Sequence, residues 1–210
     1  MFVELIDQLR CLRPHEESWL VASAERTVDR DIMDGVLGCP ICRAQYPIAR
    51  GIARFGLDRH PARSPSPDEQ EAMRLAAFLD LADPRGYAVI TASLGAHAPL
   101  LRQLTDVQLL LVNPPAEIQM GGGLSGLTVA ETLPLAAGSA RGVAVDARSS
   151  PELVRSAVAA VAPGGRLVAP ATFPVPSGVT ELVRDDRVWV AERQPESSTS
   201  RPIALHRHRG

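Results

Sequence analysis

From Asp68 onward, short apolar runs alternate with amphipathic stretches, and this restricts the chain to a sheet covered by helices. "PDEQEAMRLAAFLDLA" opens on Pro, carries acids in its first turn and puts Ala72, Leu75, Ala76 and Leu79 on one helical face. A strand at 87–91, a helix at 95–104 and a strand at 107–112 are predicted next. "GVAVDA" (142–147) predicts a further strand, and "SPELVRSAVAAVA" (150–162) a helix with Ser150 as N-cap and Pro151 in the first turn. "PGG" stops that helix, and the strand "RLVAPA" follows. "VTELVRDDRVWVAER" closes the pattern as a hairpin turning at Asp185-Asp186. The strands of such a βαβ series form a mainly parallel sheet.

Before residue 58 the pattern changes to short strands, "SWLVAS", "GVLGC" and "QYPIARGIARF". "CPIC" places Cys39 and Cys42 on a tight knuckle, from which two thiolates reach one tetrahedral ion. Two further ligands are needed, and "CLRPHEESW" offers Cys11 and His15. Three residues separate that pair, where a knuckle has two. The alternative is a buried thiol at Cys11 and a surface His15. The expected cofactor is therefore a structural zinc ion on Cys11, His15, Cys39 and Cys42, in a closed site that holds the fold and does no chemistry. Pro and Ser concentrate in "DRHPARSPSPDEQ", which reads as a linker. The expected units are a zinc-ribbon-like domain at 1–57, a linker at 58–67, an α/β domain at 68–193 and a tail at 194–210, flexible or bound to a partner. His60 in the linker and His206 and His208 in the tail read as solvated.

Two resemblances refine this division. "GVLGCPICRAQYPIARGIARF" resembles the second half of the small zinc ribbons found alone or fused ahead of bacterial methyltransferases. The matching positions are Gly35, Leu37, Cys39, Cys42, Tyr46, Pro47, Ile48, Gly51 and Ile52. The first half of the unit departs from that family's Cys-Pro-x-Cys. "VAETLPLAAGSARGVAVDA" (129–147) and "SPELVRSAVAAVAPGGRLVAP" (150–170) resemble, in order, the later segments of class I methyltransferases that use S-adenosylmethionine, and the final hairpin with Trp189 fits as well. The implied fold is α/β: a zinc-ribbon-like β unit, then a truncated Rossmann-like domain with a mainly parallel sheet and a C-terminal β-hairpin.

The family's cofactor contacts are not matched. Its members carry an acid and a Gly-x-Gly-x-Gly loop after strand one. Here Thr91 stands in place of the acid, and "ASLGAHA", with Gly95 alone, replaces the loop. An acid at the end of strand two binds the ribose in the family. Here Asn113 precedes two prolines, and an amide is not a bidentate anionic acceptor. Val129 replaces an acid near the adenine. Ser93, Leu94 and His97 are expected to fill the cofactor's space. "PPAEIQMGGGLSG" (114–126) has too much Pro and Gly for the next helix, and Ile118, Met120 and Leu124 on it either anchor a partner or tuck onto the sheet. Asp146 ends a strand, where a capping or turn role competes with a catalytic one.

The expected function is a non-catalytic accessory or scaffolding subunit of a larger assembly, a pseudoenzyme with no catalytic residues and no S-adenosylmethionine. The alternative is an active methyltransferase with an atypical pocket, using Gly95 and Asn113. Protein partners are expected through loop 114–126 and both termini. All 22 basic residues are Arg against 24 acids, so the net charge of −2 excludes a global pull toward nucleic acid. No apolar run spans a bilayer, and the acidic "MFVELIDQLR" is no secretory signal. A cytoplasmic location follows, with peripheral contact to a membrane complex allowed.

Overall fold

The computed structural model describes residues 1–56 and 65–195. The linker residues 58–64, with His60, and the tail from 196, with His206 and His208, lie outside the described residues. The alternation after Asp68 forms as read. Helix α1 (Glu69–Phe78) starts where Asp68 Oδ1 accepts from the Glu71 amide, and it buries Ala72, Leu75 and Leu79. Strand β5 (Tyr87–Thr91) is buried at every position. A 3-10 segment (Ala92–His97) follows, and only then α2 (Ala98–Leu104). The helix begins three residues later than its apolar pattern does because Pro99 has no N–H and suits only a first turn. Strands β6 (Gln108–Val112) and β8 (Ala140–Ala144) lie beside β5 and parallel to it. Helix α3 (Pro151–Ala160) is capped by Ser150 Oγ accepting from the Leu153 amide. Strand β9 (Val161–Pro170) carries the Pro-Gly-Gly segment as a bulge. The hairpin of β10 (Val179–Arg184) and β11 (Val188–Arg193) turns at Asp185-Asp186.

Strand β7 (Leu124–Thr128) begins within the 114–126 stretch expected to be loop and runs two residues past it. "LSGLT" has two apolar residues, too few for a strand signal, yet it pairs on both sides. It lies parallel to β6 and to β4 (Ile52–Arg54). A Cβ at Gly126 would come within 2.8 Å of Ile52 Cγ1, so only glycine lets β4 approach this closely. Through β4 the other early strands, β1 (Val21–Val28), β2 (Asp31–Gly38) and β3 (Gln45–Ala49), extend the same sheet. The described residues thus form one eleven-stranded sheet in the order β1-β2-β3-β4-β7-β6-β5-β8-β9-β11-β10.

The two faces are covered differently. Helices α1 and α2 pack on Ile90, Leu109 and Leu111. The other face carries α3 and the N-terminal segment, whose Met1, Phe2, Leu5 and Leu9 pack with Val89, Leu110 and Leu127. Residues 129–139 join β7 to β8 without a helix. The N-terminal segment takes the missing helix's place, tied down by the Phe2 amide on Ser125 Oγ, the Arg10 amide on the Pro134 carbonyl and the Ala136 amide on the Gln8 carbonyl. No helix among the described residues is long and apolar enough to cross a membrane.

Candidate metal centre and strand-end crevice

The knuckle forms between β2 and β3. The Cys39 amide donates to the Ala44 carbonyl, the Arg43 amide donates to the Cys39 carbonyl, and Arg43 takes a left-handed φ of 57° to close the turn. The segment 11–15 reaches the knuckle from the N-terminal side. One ligand atom from each of Cys11, His15, Cys39 and Cys42 lies within 4.8 Å of all the others. The four residues singled out in the sequence therefore meet, and the cluster could hold a metal ion.

The geometry fits zinc. Zn–S bonds of about 2.3 Å and Zn–N bonds of about 2.0 Å at tetrahedral angles give S···S edges of about 3.8 Å and S···N edges of about 3.5 Å. Cys11 Sγ lies 3.7 Å from Cys42 Sγ, and Cys39 Sγ lies 3.4 Å from His15 Nε2. The other ring nitrogen, His15 Nδ1, is 2.5 Å from the Glu16 carbonyl. That contact needs the proton on Nδ1 and leaves the Nε2 lone pair aimed at the cluster. Burial raises Cys11, but hydrogen bonds from Tyr46 Oη at 3.3 Å and the Arg13 amide outweigh it, so its thiol sits below the ordinary range. Burial also opposes Cys39, and the amides of Cys42 and Ile41 outweigh it. Tyr46 is pushed up to about 12, first by burial and then by its bond to Cys11. Sequence reasoning noted Tyr46 only as a family match. Its place beside Cys11, stacked on Phe55 at 4.4 Å, carries no local signal in the sequence.

At the carboxyl ends of β5, β6 and β8, where open α/β sheets bind ligands, the side chains bond to one another. Asp146 is buried. Its Oδ2 accepts from the Ser93 amide and hydroxyl (3.2 and 2.8 Å), its Oδ1 accepts from the Arg148 amide, and its own amide donates to Thr91 Oγ1. These are the contacts of a turn residue. Asn113 takes a left-handed φ of 52°, and its Oδ1 accepts from the Val129 amide at 2.9 Å. A Cβ at Gly95 would lie 3.1 Å from Pro115 Cδ. The residue against Gly95 is thus Pro115, which the sequence reading did not anticipate. Of the three residues expected to fill the crevice, Ser93 bonds Asp146. His97 is buried and accepts from the Asp68 amide through Nδ1, and Leu94 packs against the core under α1 and α2.

Replacing Asn113 with Ala is expected to destabilise the chain by about 2 kcal/mol. It strands the buried Val129 N–H and puts a Cβ residue at positive φ without a compensating bond. Asn113→Gly keeps the backbone relaxed and loses less. Urea denaturation of the two variants checks the ranking.

The expected partner anchors on 114–126 face inward. Met120 and Leu124 are buried and Ile118 packs beside them, while 124–126 belong to β7. Of the two termini, the N-terminal one is buried at Met1 and the residues from 196 lie outside the described residues.

No family model matches the chain, and no curated protein sequence matches it. Solved structures do. A putative methyltransferase from an antibiotic biosynthesis pathway of Anabaena variabilis is 18% identical over 50% of this chain and 45% of its own, with a TM-score of 0.40. Phosphoethanolamine N-methyltransferase 2 of Haemonchus contortus, in complex with S-adenosyl-L-methionine, is 13% identical over 59% and 33%, at 0.39. A putative methyltransferase from Escherichia coli is 11% identical over 63% and 90%, at 0.38. The chain spans less than half the length of the first two. Counted from β5, the sheet runs third, second, first, fourth, fifth, seventh, sixth. That strand order is mixed α/β, with a parallel Rossmann-like centre and an antiparallel last strand.

Proposed function

We propose that the chain is a non-catalytic accessory or scaffolding subunit, built on a methyltransferase-like fold and held at its N-terminal end by a structural zinc ion. The observation that carries this reading is the strand-end crevice. The glycine that would approach a cofactor is against Pro115, and the amide at the ribose position is committed to Val129. Asp146, the carboxylate at that end, is consumed by Ser93 and its own turn. S-adenosylmethionine does not fit these residues, and no step is derived through it. Zinc fits the four-ligand cluster on its interatomic distances, and a site with four protein ligands leaves no open position for chemistry. An N-terminal unit that stands alone could lend its β4 edge to another protein's sheet. Here β4 is already paired with β7, which favours a fixed structural role within the chain.

An accessory subunit leaves its native cells in company. Affinity-tagged chain, recovered at its natural level and passed over a sizing column, is expected to co-elute with a protein partner at fixed stoichiometry. Elution as a lone monomer contradicts the scaffolding role.

A further inference from the structure

The two halves of the metal cluster support their sulfurs unequally. A metal-bound thiolate retains negative charge, and hydrogen-bond donors aimed at it orient it and tune the metal. In "CPIC" the backbone supplies them. The amides of Ile41 and Cys42, two and three positions after Cys39, both lie beside its sulfur. In "CLRPH" the corresponding turn is one donor short. The Arg13 amide, two positions after Cys11, reaches its sulfur at 3.5 Å. The next position is Pro14, which has no N–H. The half of the unit with the irregular three-residue spacing therefore lacks a donor that the regular half has.

A side chain fills that gap. Tyr46 Oη lies 3.3 Å from Cys11 Sγ. A ligating thiolate carries no proton, so the hydroxyl is the donor and the sulfur the acceptor. The Leu12 amide lies beside the same oxygen. With an N–H on its lone pair, the hydroxyl turns its proton toward the sulfur. The ring is fixed: Tyr46 is buried, pairs with Leu37 of β2 and stacks on Phe55 with centroids 4.4 Å apart. A phenylalanine would fill the same space against Phe55, so the hydroxyl is the part that packing does not require. Tyr46 thus belongs to the knuckle's own hairpin and reaches across the cluster to a ligand contributed by the other segment.

We propose that Tyr46 is a positioning residue that holds the Cys11 thiolate on the metal, its hydroxyl standing in for the backbone donor that Pro14 removes. This rests on the zinc reading of the cluster and does not depend on whether the strand-end crevice takes a cofactor.

Metal binding by the full chain and its Tyr46→Phe variant tests it, since phenylalanine keeps the ring against Phe55 and deletes the hydroxyl alone. Zinc competition against a chromogenic chelator is expected to show binding about 10–100-fold weaker in Tyr46→Phe. Cobalt(II) in place of zinc supplies a readout that packing does not move. Without the hydrogen bond the sulfur electrons rise in energy. The sulfur-to-cobalt charge-transfer band is then expected at longer wavelength, while the ligand-field bands keep their tetrahedral form. Pro14→Ala returns an N–H to the turn and is expected to recover part of the lost affinity in the Tyr46→Phe background, with little gain in the parent. Loss of affinity with an unmoved charge-transfer band makes Tyr46 a packing residue and overturns the proposal. So does a Pro14→Ala change that recovers nothing. A metal-loaded parent that Tyr46→Phe leaves unchanged in affinity overturns this proposal alone, whereas a parent that takes up neither metal overturns the zinc reading and this proposal with it.

Discussion

Replacing Cys39 with Ser is expected to abolish stoichiometric zinc uptake and to lower the thermal midpoint by roughly 10 °C. Cys39 is the buried thiol of the cluster, 3.4 Å from His15 Nε2, and the nearby Cys42 and Ile41 amides hold it below the ordinary thiol range against its burial. A serine keeps the volume but is a poor zinc ligand. A metal bound to the folded state alone stabilises it by about 4 kcal/mol when its free concentration exceeds the dissociation constant a thousandfold. For a chain of this length each kcal/mol moves the midpoint by about 2–4 °C. The effect does not stay local, because β2 and β3 leave the knuckle and lead through β4 into the edge of β7. Adding a strong chelator to the parent chain should reproduce the shift and leave Cys39→Ser unmoved. Metal analysis and calorimetric melts read both arms. A parent chain that is purified without zinc and is indifferent to chelator contradicts the metal assignment.

Leu9→Ala is expected to cost about 3 kcal/mol while leaving the zinc content unchanged. Leu9 is fully buried, and its segment occupies the face that the helix-free connection from β7 to β8 leaves open. Deleting a buried leucine side chain removes its transfer energy and leaves a cavity, typically costing 2–5 kcal/mol. If the segment were a loosely attached arm, the loss would be a few tenths of a kcal/mol. Urea midpoints of parent and variant separate the two cases. The pairing with zinc analysis matters because Cys11 lies two residues on, and retained zinc shows that the loss comes from packing.

The elements that could be read from the sequence are those with strong periodicity or strong caps. Helix α1, with Asp68 before an apolar stripe, and α3, with Ser150-Pro151, start where expected, but α3 ends at Ala160 and the Pro-Gly-Gly expected to stop it lies inside β9. The hairpin turned at Asp185-Asp186. The four zinc-ligand candidates met because the spacing of Cys39 and Cys42 fixes a knuckle, and a hairpin-sized gap lets the first pair reach it. Strand β7 was missed because its place is set by neighbours: Ser125 and Gly126 are in a strand since β6 and β4 pair with it on either side. Pro115 was missed as the residue against Gly95 because they are twenty positions apart and meet only through the β6–β7 turn. The joining of the early strands to the later sheet was equally hidden. It depends on the absence of a side chain at Gly126, which lets Ile52 approach.

The claim on which the account turns is that the crevice at the carboxyl ends of β5 and β6 is occupied by the chain itself. Calorimetric titration of the full chain with S-adenosylmethionine tests it most directly. The account predicts no binding heat up to about 1 mM ligand, where a site worth more than about 4 kcal/mol would register. A micromolar dissociation constant that Gly95→Val abolishes, with the zinc content intact, would contradict it and favour the reading of a cofactor-binding chain with an atypical pocket.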